Sequence, residues 1–355
     1  MPAATFTDLG VGAPHREPLA VLSYNLNLQS GLYAEQVMSE LNGLHHVTAI
    51  AGDPQENLDF YAGVLGLRLV KKSVNQDVPD TYHLFYADAE GRPGTDLTFF
   101  PWPDMGPGQA GTGLASEVSL AVPRDSLGWW ADHLGHHGIR VDQPETRFGE
   151  WVLPLTDPHG LRLALVETSD PREFSPWDKS SVPVARQIRG LHGLRLEERA
   201  LAPTTQFLTG ALGFALIKTE AGWNRYGLTG GGSGRFIDIR ELPDTRRGAW
   251  GVGRVHHLAW RVPDQPAQLA VRERVLDAGR RPTEVIDRFW FKSVYFTEPG
   301  GTLFELATEG PGFAVDEAPE ALGERLVLPP WLEARRSAIE RALPPLVAPA
   351  PTATR

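Results

Sequence analysis

The chain has 355 residues, 41% of them hydrophobic, and a formal net charge of −10 at pH 7. That length exceeds one ordinary core and suggests two domains, while negative charge without Lys/Arg clusters argues against nucleic acid and anionic membranes as partners. The sequence contains no cysteine, which excludes disulfides, thiolate metal sites and cysteine nucleophiles, so any metal must be held by nitrogen and oxygen donors.

Residues 1–42 are small and polar and read as an N-terminal extension ending in a short helix. They show neither a basic, apolar leader nor an apolar span of about 20 residues, so the cytoplasm is the default location and a small molecule the expected partner. From Gly43 the pattern changes. A strand in "GLHHVTAIA" is followed by Asp53 as N-cap, Pro54 at the first helical position, and a helix with Leu58, Tyr61 and Leu65 on one face. Gly66 ends that helix, and strands follow in "LRLVKKSV", "YHLFYAD" and "TDLTFFP", completing a β-α-β-β-β unit.

The unit recurs. "DFYAGVLGLRLVK" (59–71) aligns without a gap on "QFLTGALGFALIK" (206–218), and "HGIRVDQPETRFGEWVLPLTDPHGLRLAL" (137–165) on "AGRRPTEVIDRFWFKSVYFTEPGGTLFEL" (278–306). The chain therefore holds four β-α-β-β-β modules, starting near Gly43, Ala115, Gly190 and Arg254, an α+β architecture in two tandem domains. The expected layout is a first domain over 43–170 (modules one and two), a Pro- and Ser-rich linker over 171–189, a second domain over 190–312 (modules three and four), and a tail over 313–355. The apolar positions of "PWLEARRSAIERAL" in the tail suit capping of the domain, or of another subunit in a homo-oligomer.

The repeats act as an internal control, because a residue demanded by the fold should recur and one demanded by chemistry need not. Module three reads "GLHGLRL" where module one reads "GLHHVTA", so His192 matches His45 while Gly193 replaces His46. Ser116 and Glu117 stand opposite His256 and His257, and Ala164 opposite Glu305. In strand alternation His46 shares a face with Thr48, and His257 with Ala259 and Arg261. The second histidine of each doublet is therefore expected on the wetter face, with the first pointing the other way. Glu305 lies among apolar neighbours in a late strand, where a carboxylate is costly unless paired or bound to a metal. His46, His257 and Glu305 have the composition of a facial triad, which suits Fe(II) and also Zn, Ni and Mn. His45 and His256 read equally as packing residues or as partners of the ligands, and the doublet His136/His137 as a solvated helix end.

Serial modules with ligands on their first and last strands resemble the vicinal oxygen chelate superfamily, which includes glyoxalase I, extradiol dioxygenases and antibiotic-resistance proteins. Within it, "LHHVT", "YHLFYADAEGRPGTDLTFFP", "GVGRVHHLAWRVPD" and "VYFTEPGGTLFE" are similar to the hydroquinone ring-cleaving dioxygenases. The resemblance implies a mononuclear non-haem Fe(II), with Mn(II) as the other candidate, held by His46, His257 and Glu305, and O₂ and a small aromatic substrate as partners. It implies catalytic roles for His45, His256, Tyr295 and Arg288 and a substrate contact from Thr48; Trp290, in the segment "DRFWFKS" that departs from those enzymes around the pocket entrance, is expected to be a second substrate contact. Arg147 at the position of Arg288 leaves a loop-holding role equally open for that arginine. With its ligands in modules one and four, the chain is expected to pack those two into one metal-bearing cup, leaving modules two and three metal-free. Two other readings share the fold: a glyoxalase-like lyase or isomerase, and a metal-containing protein that sequesters a small molecule.

Overall fold

The computed structural model describes residues 40–170 and 172–348. The extension up to residue 39, Pro171 and the tail from residue 349 lie outside the described residues. Module one supplies β1 (Leu44–Ala51), β2 (Arg68–Val74), β3 (Tyr82–Ala87) and β4 (Asp96–Pro101), and module two β5 (Leu114–Pro123), β6 (Glu145–Arg147), β7 (Glu150–Thr156) and β8 (Arg162–Thr168). Module three supplies β9 (Gly190–Glu198), β10 (Ala215–Glu220), β11 (Trp223–Gly227) and β12 (Phe236–Glu241). Module four supplies β13 (Arg254–Val262), β14 (Ile286–Asp287), β15 (Lys292–Thr297) and β16 (Leu303–Thr308).

These strands build two curled eight-stranded sheets, ordered β14-β15-β16-β13-β1-β4-β3-β2 and β10-β11-β12-β9-β5-β8-β7-β6. The first joins modules one and four through the antiparallel pair β1–β13, and the second joins modules two and three through β5–β9. The sequence segments 43–170 and 190–312 are thus interleaved, each giving one module to each sheet, and modules one and four share a sheet, as expected. A helix follows the first strand of each module: α1 (Pro54–Leu58), α2 (Leu127–His136), α3 (Leu201–Gly210) and α4 (Gln265–Asp277). Their apolar residues, among them Leu58, Trp130, Phe207 and Val271, pack with strand residues of both sheets into one continuous core.

Asp53 caps α1 as its sequence predicts, accepting from the Gln55 and Glu56 N–H groups. Beyond Leu58 the expected α-helix widens into a π-helical turn, Asp59–Val64. There the buried Tyr61 hydroxyl donates to Asp157 Oδ2 at 2.9 Å. The segment expected as a linker is packed, not free. Ser180 Oγ donates to the Gly66 carbonyl at 2.6 Å and Ser181 Oγ to that of Gly63 at 2.5 Å. Gly66 has φ +68°, and a Cβ there would stand 2.4 Å from Ser180 Oγ, so both conformation and space require glycine. The tail caps the core through Ile339, on α5 (Arg336–Ala342), and Leu343. His136 and His137 are exposed at the end of α2.

The central strands depart from regular alternation. Leu44 pairs with Trp260 and His46 with Ala259, which leaves His45 as an extra residue on β1. Thr48 pairs with His257 and Ala49 with Val255, which leaves His256 as an extra residue on β13. The other sheet carries the same irregularities at Ser116 and His192. Each extra residue makes a β-bulge, which bends the strand and re-aims its neighbours.

A buried acidic pair joins modules three and four. Glu198, at the end of β9, and Glu298, between β15 and β16, are both fully buried, and Thr302 Oγ donates to Glu198 Oε1 at 3.4 Å. Burial, and then the neighbouring Glu298 charge, push Glu198 up to about 8 from 4.5. The folded state therefore holds this proton more tightly than the unfolded chain, and stability is lost as pH rises from about 4.5 through about 8. Glu198→Gln is expected to raise the thermal unfolding midpoint near pH 9, to leave it little changed near pH 4, and to flatten the slope between. An unchanged slope would remove Glu198 as its source.

Candidate metal centre

His46 on β1, His257 on β13 and Glu305 on β16 converge inside the first sheet, and all three are buried. His46 Nε2 lies 3.3 Å from His257 Nε2 and 3.3 Å from Glu305 Oε2, and His257 Nε2 lies 3.1 Å from Glu305 Oε2. One ion bonded at about 2.0–2.2 Å could reach all three atoms. Glu305 is fully buried, and neither of its carboxylate oxygens has a hydrogen-bond partner. Such a group is costly unless a cation answers it. Among the described residues this is the one cluster of histidine and acidic side chains placed to hold a metal. Burial works against the Glu305 charge, but the facing His46 and His257 rings outweigh it and hold the carboxyl well below its usual range.

The bulges explain the doublets and correct their expected facing. His45 does not turn away from His46: their Nδ1 atoms are 2.9 Å apart, and those of His256 and His257 are 2.8 Å apart. With Nε2 of each second histidine turned to the donor cluster, its Nδ1–H donates to Nδ1 of the histidine before it. Each second histidine, a candidate ligand, is thus held by its own sequence neighbour. The expected wetter face is also dry. All eight residues of β1 are buried, because β4 and β13 flank the strand and the sheet curls around it. Burial lowers His45 and His256 to about 3, and burial also lowers His257.

A pocket opens onto the donor atoms, walled by Phe85, Phe100, Trp290 and Phe291 and edged by His83 and Tyr295. Its free space is about 40 Å³, room for a few water molecules. Thr48 Oγ sits 3.0 Å from His257 Nε2 and 2.8 Å from Thr98 Oγ. The Tyr295 ring stands edge-on to His257 at 5.6 Å, and burial, then the Glu305 charge, push its hydroxyl pKa up. Trp290 Nε1 donates away from the pocket, to Asp316 Oδ2 at 3.1 Å, so this side chain gives a wall and no polar contact. Arg288 donates from both terminal nitrogens to Asp77, at 3.2 and 3.0 Å, and its guanidinium lies 5.5 Å from the Tyr295 ring centre. Its repeat partner Arg147 likewise binds carboxylates, Glu117 and Glu145. The recurring arginine thus holds an acid in both sheets.

The second sheet shows the same scaffold without the donors. Glu117 occupies the place of His257 and is bound by Arg147 at 2.5 Å. Asp238 accepts from Arg225 Nε at 2.8 Å, and Glu150 from Arg225 at 2.6 Å. Each of these three acids has an arginine. His83, Thr98, Phe85, Phe100, Phe291 and Asp77 escape the sequence reading as site residues. The repeat control carries a signal for two of them, since Trp223 and Asp238 stand where His83 and Thr98 stand in module one.

The chain belongs to the Glyoxalase/Bleomycin resistance protein/Dioxygenase superfamily, whose family model matches residues 43–165 and 198–306. Among its relatives, "Putative ring-cleaving dioxygenase MhqO" of Bacillus subtilis (strain 168) is 42% identical over 85% of this chain and 96% of its own length. The chlorohydroquinone/hydroquinone 1,2-dioxygenase of Sphingobium indicum is 33% identical over 87% of this chain and 98% of its own. A crystal structure of a Bacillus subtilis protein superimposes with a TM-score of 0.83 at 39% identity, covering 88% of this chain and 99% of that one.

The geometry separates ligands, their partners and the other sheet by metal affinity. His257→Ala and Glu305→Ala are expected to abolish stoichiometric metal retention while the fold survives. His256→Ala should weaken affinity about 10- to 100-fold by freeing the ligand ring, and His192→Ala should change nothing. Metal analysis after gel filtration, with a chelator competition series, reads all four; full retention by His257→Ala would refute the ligand set.

Proposed function

We propose that this chain is a mononuclear non-haem Fe(II) dioxygenase that cleaves the ring of a hydroquinone-type substrate with O₂, its metal held by His46, His257 and Glu305. The same nitrogen and oxygen donors also suit Mn(II). The observation that carries the reading is an aromatic-walled pocket opening onto three convergent donors, one of them a carboxylate with no hydrogen-bond partner. The names of the relatives, ring-cleaving and hydroquinone dioxygenases, support it. We further assign it to the cytoplasm; among the described residues no helix is long and apolar enough to cross a membrane.

Fe(II) bound at this cluster would supply a Lewis-acidic site for a phenolic oxygen and a partner for O₂. The protein binds, orients and excludes water. Phe85, Phe100 and Phe291 offer faces to an aromatic ring, and Trp290 is fixed as a wall by Asp316. Tyr295 keeps its hydroxyl hydrogen and can donate it to a substrate oxygen, while Thr48 Oγ borders the donor atoms and can accept one. His45 and His256 keep the two ligand rings aimed. A ring needs more room than about 40 Å³, so the mouth must widen on entry. The Arg288–Asp77 pair spans that mouth, and with Asp77 71% exposed it is a weak tie that parts at a cost of about 1 kcal/mol or less.

Protein purified without oxygen and loaded with Fe(II) is expected to hold one iron per chain. It should consume O₂ with hydroquinone, methylhydroquinone or chlorohydroquinone, read by an oxygen electrode. Iron without oxygen uptake across the panel would overturn the proposal and leave the lyase and sequestration readings.

A further inference from the structure

The two cups differ sharply at their mouths. In the second sheet β10 and β11 are joined by a turn of two residues, 221–222, whereas in the first β2 and β3 are joined by seven, 75–81. A two-residue turn satisfies the fold at this place, so the longer loop is an addition to the cup that holds the donor cluster. Both connections touch the same neighbour, the turn between β6 and β7 or between β14 and β15. Phe148 N–H donates to Glu220 Oε1 at 2.5 Å in the second cup, and Gln76 Nε2 donates to the Arg288 carbonyl at 2.9 Å in the first. Asn75 Oδ1 accepts from the Asp77 and Val78 N–H groups at 2.9 and 3.2 Å, an Asx turn that sets Asp77 in front of the Arg288 guanidinium.

The arginine itself belongs to the fold, and its partner does not. Arg147 stands at the same place in the second sheet and is paired with Glu117, which occupies the place of His257. In the first cup that acid is exchanged for a histidine, and among the described residues the carboxylate paired with Arg288 is Asp77, from the added loop. The guanidinium lies 5.5 Å from the centre of the Tyr295 ring, whose edge faces His257. Among the described residues that line the pocket, Arg288 is the one arginine or lysine. A guanidinium beside an aromatic slot is suited to a ring that carries a carboxylate, unless a carboxylate of the protein already holds it.

We infer that Asp77 is a specificity-determining residue for the reaction proposed above: by occupying Arg288 and placing its own negative charge at the mouth, it makes the pocket accept hydroquinones without an ionised substituent and turn away those that carry a carboxylate. The inference rests on the ring-cleaving reading for the reaction and for the hydroquinone core of the substrate. An uncharged ring that parts the Arg288–Asp77 pair on entry leaves both ends free to rejoin. A ring with a carboxylate competes with Asp77 for the guanidinium and meets a like charge, and one guanidinium fork does not serve two carboxylates bidentately. Selection of this kind works by exclusion. Methyl and chloro groups carry no charge and are untouched by it, while the walls of Phe85, Phe100 and Phe291 suit them. Asp77 is largely exposed, so solvent screening holds the discrimination to about 10-fold.

The test compares two rings of nearly equal size and different charge, 2,5-dihydroxyphenylacetate and its amide. Full-length, Fe(II)-loaded protein and the variants Asp77→Asn, Asp77→Glu and Asp77→Asn combined with Arg288→Gln are each checked for iron content and circular dichroism. Oxygen uptake gives kcat/KM for the amide divided by that for the acid. Asp77→Asn is expected to lower this ratio about 10-fold at low ionic strength by improving kcat/KM for the acid, and added salt should shrink the gain. Asp77→Glu should stay near wild type, and removal of the Arg288 charge from Asp77→Asn should cancel the gain. Mere structural damage would lower both rates together and leave the ratio alone. A second readout is independent of turnover: anaerobic protein is titrated calorimetrically with 3-hydroxybenzoate and with 3-hydroxybenzamide. Asp77→Asn should bind the acid about 10-fold more tightly than wild type does, and the amide with little change. In protein that turns over the amide, an unchanged ratio in Asp77→Asn overturns the inference; where calorimetry alone reads, an unchanged affinity for the acid does. If wild-type protein takes up no O₂ with any hydroquinone, the ring-cleaving reading falls, and calorimetry decides whether Asp77 selects by charge.

Discussion

The site depends on one extra residue in each central strand. In a regular strand two adjacent histidines point to opposite faces, and a ligand ring could not be steadied by the residue before it. The bulges at His45 and His256 break that rule and bring Nδ1 of each first histidine to 2.9 and 2.8 Å from Nδ1 of the second. The rings of His46 and His257 gain a polar partner and an orientation from the chain segment that carries them. Bulges at Ser116 and His192 in the other sheet show that the irregularity belongs to the fold, with the cluster of histidine and carboxylate donors placed on it in one sheet.

Comparison of the two cups shows what the donor set costs and how each cup meets that cost. In the second cup Glu117, Glu150 and Asp238 are answered by Arg147 and Arg225, so its carboxylates are neutralised by side chains. In the first, Glu305 faces two neutral-capable imidazoles and its oxygens lack hydrogen-bond donors. An arginine in that place would satisfy the carboxylate and exclude a metal. The carboxylate of the first cup therefore calls for a cation, whereas these three acids of the second are answered by side chains.

Much of this was legible in the sequence because repeats expose what the fold does not require. The gapless match of 59–71 to 206–218 revealed the modules, and the exchange of His46 for Gly193 and of Glu305 for Ala164 singled out two ligands whose side chains now meet. Facing was misread because alternation assumes an unbulged strand, and nothing in "GLHHVTAI" or "VHHLAW" announces an extra residue. The wet face was misread because alternation cannot tell a solvated face from the inside of a curled sheet, where β1 is buried throughout. His83 was overlooked because it lies in a strand rich in Tyr, Leu and Phe, and its partners Thr98 and Thr48 come from two other strands. The role of Trp290 was only half legible: the sequence reading places it at the substrate, but its bond to Asp316 depends on where the tail docks.

That docking bears on the chemistry of the pocket. Lys71 and Lys218 occupy equivalent positions, yet Lys218 is half-exposed beside Glu220 whereas Lys71 is fully buried against Asp316 at 2.7 Å and Glu317 at 2.5 Å. The difference is the tail, which reaches the first sheet and packs Phe313, Leu322 and Val327 against Phe85, Trp290 and Phe291. The lysine ammonium also lies 5.4 Å from the centre of the Trp290 ring, whose Nε1 donates to the same Asp316. One ionic cluster thus anchors the tail and fixes a pocket wall. By keeping water from the apolar side of Phe85 and Phe291, the tail lowers the local dielectric around the donors, where electrostatic interactions are stronger and misplaced charge is more costly.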